Sequence, residues 1–473
     1  MGKISSNTKK LFWYLKTYGF FTVCRMANNK LHGKHIFEGF YNTKLSSKDE
    51  VDYTRFEKPK KFRIYFKNKI NKDFKKRLKI LEDGLKEGKK LIIYVYNLQE
   101  NRGTFRYRVF NIYEAMYPSK KYAVSFFYEN ELDYLAYNTH LLSAIVVSRF
   151  SLNLQLENLL MAAKYYHVPC VFDIDDVFYD TSCIRDILKD IGKPESWYDG
   201  WHDVASRMDE TASLCNYAIL TNDYLAEDFY KIFHIPTFVV PNSINQEQYE
   251  YAKKIKKSQK KDFIIGYFSG SATHGKDFMQ ARDSIKEFLR KHKDAKLKLV
   301  GEIEVPDEFK EFVKTNQIIT RPRVNMYKLL EENESVSISV IPLMNSRFTN
   351  CKSELKFFES ALVGVPSICS DTYVYKRCVQ NGINSYLVSD GNWLDALEKA
   401  YENRNDQELI DRCYNSAIDN FYVHALKDHL EMIFDLVTNL KGENKIYYLP
   451  YDSSYVHKEF KRYDLPINIR RHW

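Results

Sequence analysis

Short apolar runs alternate with amphipathic segments along most of the chain. A first series of apolar runs lies between residues 91 and 240, and a second lies between residues 263 and 388. Segments with apolar residues at helical spacing separate the runs, for example residues 154–166 and 277–292. Strands that alternate with helices predict parallel sheets covered on both faces. The pattern therefore predicts an α/β chain with two doubly wound, Rossmann-like domains that face each other across a cleft.

The same alternation predicts the domain boundaries. Residues 1–90 lack it and are assigned to an N-terminal extension, whereas residues 91–250 and 251–425 form the first and second domains. Residues 426–473 begin with a helix-like stretch that we expect to cross back to the first domain, and they end in a polar, aromatic tail. Ligands of such sheets bind at the carboxyl ends of the strands, so the cleft between the domains is the predicted site.

Positive charge is concentrated in the N-terminal extension. The whole chain has a formal net charge of +9, whereas residues 1–90 hold 24 Lys and Arg against 9 Asp and Glu, a net charge of +15. An anionic membrane surface, a nucleic acid and plain solvent are three environments that suit a basic segment with clustered aromatic residues. Because no nucleic-acid recognition motif accompanies the charge, we expect no nucleic-acid partner and favour an anionic membrane surface.

Hydropathy and cysteine usage predict a location inside the cell. No uninterrupted apolar run approaches the ~20 residues of a membrane-spanning helix, and the N-terminus lacks the layout of a signal peptide. The eight cysteines form no Cys-x-x-Cys pair, which favours reduced thiols and argues against a structural zinc. We therefore expect a cytoplasmic protein that associates peripherally with the inner face of the plasma membrane.

The most informative motif is a predicted helix within residues 351–366, between two apolar runs. Lys352, Lys356 and Glu359 are spaced by four and three residues, so they share one face of that helix. Lysines near a helix N-terminus, with a carboxylate one turn on, suit a ligand that has both phosphate and ribose groups. A solvated face of Lys and Glu pairs is the alternative that this spacing leaves open.

A glycine-containing turn follows the first apolar run of the second domain. Gly270, Ser271 and His274 lie in this turn, and Lys276 begins the next segment of helical spacing. Glycines that flank Ser, Thr and His residues before a helix predict a turn that wraps a phosphate. An ordinary connection between a strand and a helix fits the same residues.

Three carboxylates end a strand of the first domain. Asp173, Asp175 and Asp176 lie at the predicted cleft edge, where carboxylates suit the binding of a hydroxyl group or base assistance. A metal site is a second interpretation of Asp-x-Asp, and a helix cap with a solvated acid is a third.

Loops of both domains carry further candidates. Gly103 lies in a loop after the first strand, and Arg106 and Arg108 follow it, where they either add positive charge at the cleft or solvate the start of a helix. Arg323 follows a strand-like segment of the second domain and is either near the nucleotide or an ordinary loop charge.

Together, these motifs resemble those of the GT-B glycosyltransferases of glycosyltransferase family 4. In that family the helix carries a Glu-x7-Glu motif whose second Glu binds the donor ribose; Glu359 occupies the second position, and Cys351 replaces the first Glu. The family's first donor-domain loop holds the pyrophosphate with an Arg and a Lys. Lys276 matches that lysine, whereas Ser271 replaces the arginine. The Lys-Ser-x-Leu-Lys-x-x-Glu form looks like a branch of bacterial polysaccharide and rhamnan-type transferases.

The resemblance implies that the first domain binds the acceptor and the second binds the donor. It implies transfer of a sugar from a nucleotide-sugar donor, UDP- or dTDP-linked, to a growing surface glycan or a lipid-linked acceptor, with retention and without a bound metal or other cofactor. On this basis the residues are assigned as follows: Lys276, Asp175 and Asp176 catalytic; Glu359, Lys352, Lys356, Ser271, Gly270, His274, Gly103 and Arg323 donor-binding; Asp173, Arg106 and Arg108 acceptor-binding.

Two other functions fit the same sequence. A polyol-phosphate transferase of the teichoic-acid kind also uses paired Rossmann-like domains and a basic surface, but it consumes a CDP-polyol. A degenerate homologue that binds glycans or acts as a scaffold would account for the replaced family residues at Ser271 and Cys351.

Overall fold

A computed structural model of the protein describes residues 11, 15, 20–32, 72–97, 103–255, 262–270, 275–389, 391–439, 445–447 and 463–467. The chain divides into two units, Met1–Pro59 and Lys60–Trp473. In the first unit the helix Phe20–Leu31 is the main described element, and both of its terminal side chains are exposed. No helix in the described part of the chain is long and apolar enough to cross a membrane.

The described strands belong to two sheets in the second unit. They are β1 (Lys90–Tyr96), β2 (Tyr122–Tyr128), β3 (Ala144–Ser148), β4 (Cys170–Ile174), β5 (Tyr217–Leu220), β6 (Thr237–Val239), β7 (Phe263–Ser269), β8 (Ala295–Gly301), β9 (Ile318–Arg321), β10 (Ile338–Ile341), β11 (Ser367–Ser370), β12 (Tyr386–Val388) and β13 (Ile446–Tyr447).

Both sheets are parallel, as the alternating pattern predicted. The first has the strand order β13-β6-β5-β4-β3-β1-β2, and the second has the order β12-β11-β10-β7-β8-β9. Each described pairing within them is parallel, for example β1 with β2 and β7 with β8. Strands β2, β3, β4 and β5 are buried along their whole length, because helices cover both faces of the first sheet.

Helices connect successive strands on both sheets. The α-helices of the second unit are Lys72–Lys86, Gly103–Phe105, Asn111–Met116, Leu132–Asn138, Leu154–Tyr165, Ile184–Asp190, Tyr198–Ser213, Asp223–Phe233, Gln246–Lys254, Gly275–Met279, Arg282–Lys291, Lys310–Lys314, Met326–Glu334, Arg347–Asn350, Leu355–Ala361, Tyr373–Lys376, Trp393–Glu402, Gln407–Phe421 and Lys427–Thr438. A π-helical turn, Arg106–Phe110, joins the two helices that flank it, and short 3₁₀ helices occupy Glu129–Glu131, Thr139–Leu141, Thr181–Cys183, Glu195–Trp197, Asp307–Phe309 and Val423–Leu426.

The first sheet begins its packing before the boundary that the sequence suggested. Helix Lys72–Lys86 buries Phe74, Leu78 and Leu81 in the same apolar cluster as β1 and β3. Its Arg77 donates from both terminal nitrogens to the carboxylate of Glu131, at 2.7 Å each. Residues 72–86 therefore pack with the first sheet, although the sequence analysis assigned them to the N-terminal extension. The many lysines of this helix obscure, in the sequence, the apolar stripe that packs against the sheet.

The C-terminal helix of the described chain lies on the first sheet. Helix Lys427–Thr438 buries Leu430, Ile433 and Phe434 in a cluster with residues of β1, β2 and β3. The hydroxyl of Tyr122 donates to Asp435 on the same helix, at 2.5 Å. The chain thus passes from the second sheet back to the first. The second domain is therefore connected to the first domain at both its N-terminal and its C-terminal end.

Gly301 allows the carboxyl ends of β7 and β8 to approach closely. Its φ is +109°, and a Cβ atom at this position would lie 1.9 Å from the carbonyl oxygen of Ser269. A side chain cannot occupy that space without moving the backbone of β7, so glycine is required here. The contact helps to set the direction in which the chain leaves β7 toward Gly270.

Candidate active site

The predicted Lys and Glu helix forms at the carboxyl end of the second sheet. Helix Leu355–Ala361 buries Phe357 and Phe358 against the sheet, while Lys356 and Glu359 are half-buried on its other side. The preceding turn is held by Ser346, whose side chain accepts from the backbone N–H of Thr349. The helix therefore presents Lys356 and Glu359 on one face, as their spacing predicted. The predicted place of Lys352 on that face is wrong, because the helix begins only at Leu355 and Lys352 lies in the bend before it.

Residues of the first domain surround the Glu359 carboxylate. The hydroxyl of Tyr107 donates to its Oε1 atom at 2.5 Å. The guanidinium carbon of Arg106 lies 5.0 Å from the centre of the Tyr107 ring. Burial raises the pKa of Glu359, while Arg106, the Tyr107 hydrogen bond and Lys356 act in the opposite direction. Arg106 was predicted to bind the acceptor, but it lies beside Glu359, the predicted donor carboxylate, and not with the three carboxylates at the end of β4. The sequence did not indicate this position.

An arginine that the sequence analysis missed organises the carboxylates after β4. Arg149 follows β3 and contacts Asp175 at 2.8 Å and Asp176 at 2.7 Å from one nitrogen. Its φ of +43° is unusual for a residue with a side chain. Burial raises the pKa of Asp176, and Arg149 and Lys352 oppose this rise. The signal available in the sequence was the position of Arg149 directly after a predicted strand.

Two lysines of the second domain line one small cavity near this acidic pair. Lys276 and Lys352 contribute to the walls of a cavity of about 10 Å³, together with Asp277. Lys276 donates from Nζ to the backbone carbonyl of Lys189 in the first domain, at 2.5 Å. Burial lowers the pKa of Lys352, and Asp176 opposes that effect. The two lysines predicted to meet a pyrophosphate therefore lie together, at the junction of the two domains.

Lys356 provides a pH-dependent test of the donor side. Burial lowers the pKa of Lys356 to about 8, with Asp277 opposing. The side chain therefore loses its positive charge as pH rises through about 8, and affinity for an anionic diphosphate falls between pH 7 and 9 if the ammonium contacts it. We expect nucleoside diphosphate affinity, measured by calorimetry across this range, to fall in the wild type. Lys356→Arg should remove the fall, because a guanidinium stays charged; an identical fall in both proteins would contradict the assignment.

Arg108 and Asp173 do not reach the cleft, which corrects their prediction as acceptor-binding residues. Both side chains are 0% exposed, and they pair at 2.7 Å. Ser148 donates to Asp173 at 2.9 Å, and Arg108 donates to the backbone carbonyl of Val240 at 2.7 Å. An acceptor cannot bind either group without breaking this network. The pair instead joins β4 to the end of β6 beneath the cleft.

The remaining predicted residues occupy different places. Arg323 is exposed and pairs with Glu302 at 3.5 Å, beyond the end of the outer strand β9. Gly103 opens the helical segment that leads to Tyr107, and a Cβ atom there would meet its nearest atom only at 4.0 Å. Gly270 is described and exposed directly after β7. Ser271 and His274 lie outside the described residues.

Side chains from the first domain hold the loop that precedes the Leu355–Ala361 helix. Asn222 donates to the backbone carbonyls of Asn350 at 3.1 Å and of Lys352 at 2.7 Å. Asn242 donates to the hydroxyl of Ser353 at 2.9 Å. No sequence motif pointed to these contacts, because they join residues more than 100 positions apart. Within the described residues, no cluster of three His, Cys, Asp or Glu side chains is arranged to hold a metal ion.

A family model described as Glycosyl transferases group 1 matches residues 263–403. Residues 263–403 are thus similar to a glycosyltransferase group 1 domain, called the group 1 domain below. This domain contains β7 to β12, Lys276 and the whole Leu355–Ala361 helix, so the predicted donor residues of the second domain fall inside it. No curated protein matches the chain by sequence.

Solved structures show the same fold. Sucrose-phosphate synthase from Thermosynechococcus elongatus has a TM-score of 0.50 and 11% identity, over 75% of this chain and 100% of that one. A glycosyltransferase from Rickettsia africae ESF-5 gives the same four values. Anabaena HepE in complex with UDP and glucose is a looser match, with a TM-score of 0.48 and 13% identity over 73% of this chain and 99% of that one, and the fold assignment does not depend on it. The two parallel sheets and the fold shared with the two structures of TM-score 0.50 confirm the predicted fold class, GT-B.

Proposed function

We propose that this glycosyltransferase group 1 chain transfers a hexosyl or deoxyhexosyl group from a nucleotide sugar, UDP- or dTDP-linked, to a growing surface glycan or a lipid-linked acceptor. One observation carries the proposal: Lys276 and Lys352 line one cavity at the domain junction, and Lys356 lies close enough to interact with both Lys352 and the carboxylate of Glu359. A nucleotide sugar has the complementary groups, with anionic phosphates for the lysines and ribose hydroxyls for the carboxylate.

The donor would lie against the second domain. Glu359 accepts from the ribose hydroxyls, while Lys276 and Lys352, with Ser271 and His274 in the adjacent turn, face the pyrophosphate. Negative charge grows on the leaving diphosphate as the glycosidic bond breaks, and fixed cations that stabilise this charge lower the barrier. Closure of the two domains around the bound donor would exclude water from the reacting centre and limit hydrolysis.

The acceptor would approach from the first domain. Asp175 and Asp176 stand at the carboxyl end of β4, where Arg149 holds both carboxylates. The raised pKa of Asp176 suits a group that accepts a proton from an acceptor hydroxyl. We propose that the reaction retains the anomeric configuration without a bound metal, and that a diphosphate oxygen assists in removing the acceptor proton.

The basic N-terminal extension suggests where the reaction takes place. Residues 1–90 carry a net charge of +15, and residues 1–71, which precede the helix that packs with the first sheet, hold 16 Lys and Arg against 5 Asp and Glu, a net charge of +11. This charge suits the anionic inner face of a bacterial plasma membrane. A lipid-linked acceptor is presented at that surface. We therefore propose a peripheral protein on the cytoplasmic side that takes part in capsule or other cell-envelope polysaccharide biosynthesis.

Glu359→Gln tests the donor site. The substitution keeps the size of the side chain and removes the charge that a ribose hydroxyl meets. We expect nucleotide affinity to fall about 10- to 100-fold, as for a lost hydrogen bond to a charged group. Thermal shift and calorimetry with UDP, dTDP, GDP, CDP, their sugars and a CDP-polyol measure the effect. Glu402→Gln, an exposed change in the same domain, is the matched control and should bind normally.

Each outcome of this panel has a clear meaning. Saturable binding of one nucleotide-sugar series that weakens in Glu359→Gln supports the proposal and identifies the base. Preference for a CDP-polyol would instead support a polyol-phosphate transferase. A wild-type protein that no member of the panel stabilises would overturn the proposal in favour of a glycan-binding or scaffolding homologue.

A further inference from the structure

Tyr107 belongs to the first domain but packs in the second. It lies in the π-helical turn Arg106–Phe110, a rare geometry that often occurs at functional sites. Its side chain joins the apolar cluster of the second domain, where its ring centre lies 6.0 Å from that of Phe358. The turn thus brings a first-domain hydroxyl into contact with the helix that carries Glu359.

The hydrogen-bond partners of Tyr107 determine where its proton points. The side-chain amide of Gln248 donates to the Tyr107 oxygen at 3.3 Å, so the phenolic hydrogen is available for a different partner. That partner is Oε1 of Glu359, at 2.5 Å. Gln248 is fully buried and is itself held in a capping box with Asn245. The hydroxyl is therefore oriented toward the carboxylate by groups that have little freedom to move.

This arrangement occupies one oxygen of Glu359 and leaves the other to accept from a ribose hydroxyl. We propose that Tyr107 is a positioning residue for donor recognition: its hydroxyl fixes the Glu359 carboxylate from the opposite domain, so that the ribose site is complete only when the domains are closed. The inference rests on the proposed function, in which Glu359 accepts from ribose. The inference adds Tyr107, a residue of the first domain, to the proposed ribose site, which the group 1 domain would otherwise supply through Glu359 alone.

The hydrogen bond also affects the charge of Glu359. The groups that face this carboxylate are Tyr107 and Arg106 from the first domain and Lys356 from its own helix. Burial favours the neutral acid, whereas a donated hydrogen bond favours the carboxylate. Loss of the Tyr107 hydroxyl therefore raises the pKa of Glu359, and protonation then weakens donor binding at a higher pH than in the wild type.

Tyr107→Phe removes only the hydroxyl. We expect nucleotide affinity at pH 7 to fall about tenfold, as for loss of one charge-assisted hydrogen bond, and the acidic limb of affinity against pH to move upward. Tyr134→Phe is the matched control, because that buried hydroxyl of the first domain has no hydrogen-bond partner among the described residues. Calorimetry with the nucleotide that binds the wild type best, between pH 5 and 8, provides both readouts.

A double-mutant cycle separates positioning from a general structural role. If Tyr107 acts through Glu359, then Tyr107→Phe costs less than about twofold in the Glu359→Gln background, because the carboxylate that it positions is already gone. Equal losses in both backgrounds, or a Tyr107→Phe protein with wild-type affinity and an unmoved acidic limb, would overturn the inference while leaving the proposed function intact. A wild type that binds no nucleotide overturns the proposed function and this inference with it.

Discussion

Replacing Asp173 by alanine is expected to lower the free energy of unfolding by about 3–5 kcal/mol. Asp173 and Arg108 are 0% exposed, so the substitution leaves a guanidinium buried without its counter-charge. The cost of such a charge is larger than the cost of the few atoms removed, because the interior cannot replace the lost solvation. Chemical denaturation monitored by circular dichroism measures the loss. Asp133→Ala, an exposed carboxylate of the same domain, should change stability by less than about 0.5 kcal/mol.

A second variant shows whether the charge is the cause. Arg108→Met combined with Asp173→Leu removes both charges and retains most of the buried volume. We expect the double variant to be more stable than Asp173→Ala, although Ser148 and the carbonyl of Val240 lose partners in it. A double variant less stable than Asp173→Ala would show that packing, and not the uncompensated guanidinium, dominates at this position.

Lys352→Ala is expected to reduce kcat about 10²- to 10³-fold, equivalent to about 2.7–4 kcal/mol in the barrier, by analogy with loss of an oxyanion-hole donor. Lys352 lies between the acidic pair after β4 and Lys276, where the leaving diphosphate would develop charge. Release of nucleotide from the donor at saturating donor concentration measures the rate, and it includes transfer to water, so an identified acceptor is not required.

The control for this rate experiment is a lysine on the same domain. Lys399 is 58% exposed and pairs with Asp395 on its own helix, so Lys399→Ala should leave kcat unchanged. Lys352→Arg should keep part of the rate, because it restores a positive charge with a different shape. A Lys352→Ala protein with wild-type kcat would remove this lysine from the catalytic assignment.

Local residue spacing was sufficient to predict the helix that holds two of the proposed donor-binding residues. The face shared by Lys356 and Glu359 follows from 3.6 residues per turn, whereas Lys352 lies in the bend before the helix, outside the shared face that its spacing predicted. The bend at Gly270 follows from its place between a strand and a helix. These features depend on residues that are near one another in sequence. A short window of sequence is therefore sufficient to predict them.

Local spacing did not predict the different environments of the three carboxylates near the end of β4. Asp173, Asp175 and Asp176 lie within four residues at one strand end, yet Asp173 pairs with Arg108 at depth while the other two meet Arg149 at the cleft edge. Strand β4 ends at Ile174, so Asp173 lies inside the strand whereas Asp175 and Asp176 follow it. The partner that each carboxylate meets is supplied by residues that are distant in sequence. The sequence therefore grouped three carboxylates that the fold separates.

The sequence by itself determined the α/β class, the two parallel sheets and the Lys and Glu face of one helix, because hydrophobic periodicity and helix geometry are local properties. Only the tertiary structure decided that Tyr107 meets Glu359, that Arg149 holds the acidic pair and that Arg108 is buried. Each of these contacts closes a loop of more than 20 residues between groups that carry no shared motif. Their partners are chosen by the packing of whole strands and helices, which no short window of sequence contains.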